Sequence, residues 1–189
     1  MSKLEVNAID SVGTTLTLGD TNATTLALNS GITTLPSALK NTPAFNTRMN
    51  TLQGISHEVI TLVAFDTVLY DTNSAYDNSA SNYKFTVPSG QAGKYYFFAS
   101  TNLDAVSAAN LQNCNMYFYK NGSVQHKIST NFNSNDIKAY QATLSTTLDL
   151  NVGDYVQVYA RISDASGSPQ IDGSDVNQSQ FFGYKLIGA

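Results

Sequence analysis

Five aspartates have the type and spacing for chemistry: Asp71 and Asp77 in one polar stretch, and Asp164, Asp172 and Asp175 in another. Two carboxyl groups flanking a sugar–sugar bond are the machinery of glycoside hydrolysis. Several loop oxygens brought together are what a hard cation such as Ca2+ requires. Aspartate is also an ordinary residue of β turns, where its carboxylate bonds nearby backbone. A nucleophile with its base is not indicated. Neither histidine, His57 or His126, is local to the lone Cys114 or set in a motif. No His-x-x-x-His, cysteine pair or glycine-rich phosphate loop occurs, and Ser166-Gly167-Ser168 reads as a plain loop. The sequence therefore predicts a protein that is not an enzyme. It offers one candidate inorganic ligand, Ca2+ on Asp164, Asp172 and Asp175, and no other cofactor.

Binding chemistry is better represented. Aromatic rings cover sugar faces and amides pair with hydroxyls. Tyr76, Asn78, Asn110, Asn133 and Asn135, all in polar stretches between apolar runs, are the candidate ligand-binding residues.

These side chains need a scaffold. A chain of 189 residues can bury one ordinary core and carry an appendage, and 42% apolar residues exclude disorder. The net charge is −4 and the ten Lys and Arg form no run, which removes the main source of nucleic-acid affinity. A single cysteine cannot form an intrachain disulfide, and within Asn113-Cys114-Asn115-Met116-Tyr117-Phe118 it reads as a small buried hydrophobe. The opening Met1–Val6 lacks the apolar run of a signal peptide, and no apolar stretch is long enough to span a membrane as a helix.

Residues 1–40 repeat a short unit. Thr-Thr-Leu occurs at 14–16, 24–26 and 33–35, and two copies extend in alternation as Leu16-Thr17-Leu18 and Leu26-Ala27-Leu28. Each unit can bury only a narrow edge, so the segment predicts a β shaft of three chains whose core is Leu16, Leu18, Leu26, Leu28 and Leu35. Residues 41–58 read as a neck, with a helical turn or two over Phe45–Leu52. Residues 59–189 read as the head, an all-β sandwich of about eight strands. The strands expected are Val59–Tyr70, Tyr83–Val87, Lys94–Leu103, Asn113–Lys120, Ser123–Thr130, Tyr140–Leu150, Asp154–Ile162 and Gln180–Ile187.

Strand parity sorts the connections. Pro88–Gly93, Asn121-Gly122 and Asn151–Gly153 are short and share one end. The long polar connections at 71–82, 104–112, 131–139 and 163–179 share the other, where binding residues are expected. The first head strand is expected to start at the short-loop end, so the shaft joins there.

The head resembles the C1q/tumour-necrosis-factor-like jelly roll. The ordered elements are Phe65, Asp71, Tyr76, Phe85-Thr86-Val87-Pro88 and Gly93-Lys94-Tyr95-Tyr96-Phe97. Val152-Gly153-Asp154 and Ser179-Gln180-Phe181-Phe182-Gly183-Tyr184-Lys185-Leu186 complete the set. The spacings on either side of Phe85 are slightly long, and Ala99 replaces an aromatic residue. The resemblance implies a tight trimer with aromatic residues near its axis, a binding role, and in some members Ca2+. Thr-Thr-Leu repeats ahead of such a head, without a collagen stalk, resemble fibre proteins of tailed phages.

The whole is then expected to be a homotrimeric virion fibre, assembled in the host cytoplasm and displayed on the particle surface. It is a tail fibre or a head fibre. Its N-terminal segment docks on other virion proteins, and its head meets a host-surface receptor or glycan. The alternatives are a capsid decoration protein with a structural role and a non-viral C1q-like lectin. The latter predicts a signal peptide and often disulfides.

Overall fold

A computed structural model describes residues 40–106, 111–132, 137–165, 168–174 and 178–188. The repeat segment over residues 1–39, with its five leucines, lies outside the described residues, as do Asn110, Asn133, Asn135 and Asp175.

The described chain is a two-sheet β sandwich. One sheet contains β1 (Ala44–Arg48), β2 (Gln53–Gly54), β4 (Thr67–Asp71), β7 (Gly93–Asp104), β10 (Ala139–Leu150), β12 (Gln170–Asp172) and β13 (Gln180–Lys185). Its order is β2-β12-β7-β13-β1-β4, with β10 also paired to β7. The other contains β3 (Thr61–Leu62), β5 (Tyr76–Asp77), β6 (Lys84–Thr86), β8 (Leu111–Lys120), β9 (Ser123–Asn131) and β11 (Tyr155–Asp164). It runs β5-β6-β11-β8-β9, with β3 on β11, and every pairing in both sheets is antiparallel. We call them the first and second sheets.

Period-two alternation makes the core. Tyr95, Phe97 and Ala99 of β7 point inward, as do Val156, Val158, Ala160 and Ile162 of β11. Phe45 sits among them, fully buried. Its ring lies 5.0 Å from Phe85, 5.2 Å from Tyr76 and, edge-on, 4.9 Å from Phe181.

The expected neck is therefore corrected. Ala44–Arg48 is not helical but a strand bonded on both sides, to β13 and to β4. Its alternation puts Phe45 and Thr47 inside, and the core claims it. The sandwich starts at β1, well before residue 59.

Val59–Tyr70 is also not one strand. It pairs with β11 as Thr61–Leu62, breaks around Ala64, and pairs with β1 as Thr67–Asp71. The side-chain amide of Gln53 holds the crossing: Nε2 donates to Leu62 O at 2.8 Å, and the Ala64 N–H donates to Oε1 at 2.9 Å.

The short connections do share one end. The Val87 N–H donates to Asp154 O at 2.9 Å, and the Asn121 N–H donates to Tyr155 O at 3.1 Å. Asn121 (φ 51) and Gly122 (φ 77) both take the positive φ that a tight type I′ hairpin demands. At the opposite end, Ala105 N–H donates to Lys138 O and Leu111 N–H to Ile137 O.

Connection 71–82 is misplaced by the parity argument. Thr72 N–H donates to Ala44 O, and Lys185 N–H donates to Pro43 O, so Thr72 turns at the short-loop end. The physical reason is the miscounted strands: β1 and β5 escaped the sequence reading. Residue 59 starts at the long-loop end instead, where the Glu58 N–H donates to Ile162 O. The chain still enters the sandwich at the short-loop end, through Pro43 and β1.

Candidate functional site

Of the predicted binding residues, Tyr76 and Asn78 are among those described, and they lie in different environments. Tyr76 is a core residue, 7% exposed, and its hydroxyl donates to Phe65 O at 3.1 Å. Burial raises its pKa far above the ordinary value. Its assignment to the ligand surface is corrected: β5 turns it inward, where Phe45 provides a stacking partner. Asn78 is exposed, and its Nδ2 donates to Asp66 O at 2.8 Å.

The four candidate aspartates among the described residues each end a strand, Asp71 in β4, Asp77 in β5, Asp164 in β11 and Asp172 in β12. Asp71 Oδ2 accepts the Tyr76 N–H at 2.8 Å. Asp77 Oδ1 accepts both the N–H and the hydroxyl of Ser79, which holds its pKa below the ordinary carboxylate value. Asp172 Oδ1 accepts the N–H of Ser174 at 2.8 Å and its hydroxyl at 2.7 Å. Asp164 is 1% exposed, and its N–H donates to Nδ1 of His57 at 3.1 Å. Among the described residues, no three His, Cys, Asp or Glu side chains form a metal-sized group. Cys114 is buried, and loss of solvent pushes its thiol up to about 12.

The feature that sequence reasoning missed lies on the outer face of the first sheet. The alternation that sends Tyr95, Phe97 and Ala99 inward sends Tyr96, Phe98, Ser100 and Asn102 outward. On β13 the same rule turns Gln180, Phe182 and Tyr184 outward. The register sets Phe98 opposite Phe182 and Tyr96 opposite Tyr184, with ring centroids 4.9 Å and 5.5 Å apart. The signal was the double aromatic run Tyr95-Tyr96-Phe97-Phe98 paired with Phe181-Phe182, in which both faces of a strand are aromatic.

The face changes character along the strands. Beyond Phe98 it is polar: Gln141 Nε2 donates to Gln178 O at 2.7 Å and also bonds Ser100, while Asn102 Nδ2 donates to Gln178 Oε1 at 3.1 Å. Two acceptors on this outer side, Asn46 Oδ1 and Asn102 Oδ1, are buried without a hydrogen-bond partner. Asn46 lies opposite Phe182, so the apolar and unsatisfied positions are neighbours. Tyr70, 50% exposed on the edge strand β4 and opposite Asn46 in register, extends the patch.

Comparison with known proteins gives the same architecture. A family model described as the C1q domain matches residues 44–186, from the first residue of β1 to the residue after β13. The structure of Eiger TNF from S. frugiperda superposes with a TM-score of 0.53 at 13% identity, covering 77% of this chain and 93% of that chain. The globular domain of zebrafish complement 1qA protein superposes with a TM-score of 0.50 at 19% identity, covering 76% and 97% respectively. At these identities the structural likeness is one of fold. No curated protein matches the sequence. On the span of the family match, the chain belongs to the C1q domain family.

Proposed function

We propose that the protein is a homotrimeric virion fibre protein, a tail fibre or a head fibre, whose C1q-type head binds a host-surface receptor or glycan. The observation that carries the reading is the outward Phe98–Phe182 stack on the first sheet, continued by Tyr96 and Tyr184. Phenylalanine has no polar handle, so a stacked pair outside the core is best accounted for by permanent burial against other copies. The fibre part of the reading rests on the Thr-Thr-Leu repeats that precede the head. In this reading the protein is not an enzyme. The turn bonds made by Asp71 and Asp77 support that view, because they occupy the carboxylates a glycosidase would need free.

The test is the native mass of the full chain. A value of about 61 kDa, three times the 20.3 kDa of one chain, is expected. A value near 20 kDa would remove the trimer and the fibre with it. Placement on a particle is checked by probing purified virions with an antibody to the head.

A further inference from the structure

The second sheet also has an aromatic outer face, but of different chemistry. Tyr155 and Tyr159 of β11 and Tyr117 and Tyr119 of β8 turn away from the core. Tyr159 is opposite Tyr117, and the Tyr119 and Tyr159 rings are 4.3 Å apart. Cations flank them. Lys127 Nζ lies 5.5 Å from the Tyr117 ring centre, and Lys84 Nζ lies 5.2 Å from that of Tyr155. Among the described residues neither lysine is in an ion pair, although Asp77 lies opposite Lys84 on the next strand. In a chain of net charge −4, two ammonium groups on one aromatic face complement an anion, with Lys84 partly offset by the Asp77 carboxylate.

A second observation points to a ligand. Asn115 lies in the next row, between Arg161 and Ser129 in register. It is 2% exposed; its Nδ2 donates to Asn113 Oδ1 at 2.5 Å, while its Oδ1 is buried without a partner. An acceptor left this way is destabilising unless a donor reaches it. Arg161 is held by Glu58 at 2.9 Å.

We infer that this face binds an acidic saccharide. The half-buried rings of Tyr119 and Tyr159 stack on a sugar ring, a sugar hydroxyl donates to Asn115 Oδ1, and Lys127 pairs with its carboxylate, while Lys84, three strands away, meets the carboxylate of a neighbouring sugar residue. Tyrosine suits such reversible contact, since its hydroxyl can be satisfied in the free state, as that of Tyr159 is by Gln157 Oε1 at 3.3 Å, whereas the phenylalanines of the first sheet have no such group. The inference rests on the binding role proposed above and gives it a ligand class and a place.

The test is calorimetric titration of the full chain with galacturonate, hyaluronan and polysialate oligosaccharides, and with maltohexaose as the neutral control. At least one acidic oligosaccharide is expected to bind and maltohexaose is not. Tyr119→Ser should weaken binding about tenfold. Lys127→Gln, at an exposed position that leaves folding intact, should weaken it about threefold. Failure of every acidic oligosaccharide to bind, equal binding of maltohexaose, or binding unchanged in both variants would overturn the inference. Native mass on the same samples separates the two proposals. A trimer that ignores acidic saccharides sinks only this one, and a monomer that binds them sinks only the trimer.

Discussion

Phe98 of β7 and Phe182 of β13 stand directly opposite one another and stack at 4.9 Å on the side of their sheet that faces away from the core. Inside the sandwich such a pair would be packing. Outside it, the pair is the contact surface of the proposed trimer.

Replacing Phe182 with Lys should therefore separate the copies without unfolding them. The expected result is a fall in native mass from about 61 kDa to about 20 kDa, with the far-ultraviolet circular dichroism of a β protein retained. A trimer that persists unchanged would place the contact elsewhere.

The β1 strand is expected to be essential. Phe45 is fully buried and touches Phe85, Tyr76 and Phe181, so Phe45→Ala should cost about 3–5 kcal/mol in urea unfolding. A chain truncated to begin at Ile55 lacks this strand and should not fold. One that begins at Lys40 keeps it and should.

Gly183 occupies a place where no side chain fits. A Cβ there would lie 2.6 Å from Phe97 Cδ1 and 2.9 Å from the Tyr96 carbonyl oxygen, which is backbone and cannot yield. Gly183→Ala should destabilise the head by about 1–3 kcal/mol, read as a lower urea midpoint at unchanged slope.

The short-loop end should respond to acid. Asp154 accepts from Lys120 Nζ at 2.8 Å, Asn121 Nδ2 at 2.7 Å and the Asn151 N–H at 2.8 Å. These bonds, that from Lys120 foremost, lower its pKa from 3.8 to about 2. Because the folded value is the lower one, the unfolded chain binds the proton first. The stabilisation is thus complete above about 4 and is lost as pH falls toward 2. The stability gap between the native chain and Asp154→Asn should be constant from pH 5 to 7 and close by about pH 2, as measured by urea midpoints across pH.

The sequence by itself determined the all-β class, most strand positions and the common end of the short loops. Those features are local: period-two alternation in Val156–Ile162, and the Asn121-Gly122 turn whose backbone only a few residues tolerate. The ordered aromatic and glycine positions carried the family, because each has a steric reason, as the space around Gly183 shows.

Only the tertiary structure decided that Phe45 belongs to the core, since β1 is bonded to β13, more than 130 residues later, and has little local signature of its own. It likewise decided that Tyr76 is buried and that Val59–Tyr70 passes from one sheet to the other. It decided, too, which aromatic of each pair faces out. Alternation says that Phe97 and Phe98 point oppositely, but not which one finds a core. That depends on the sheet laid against them, and a single strand contains no record of its partner.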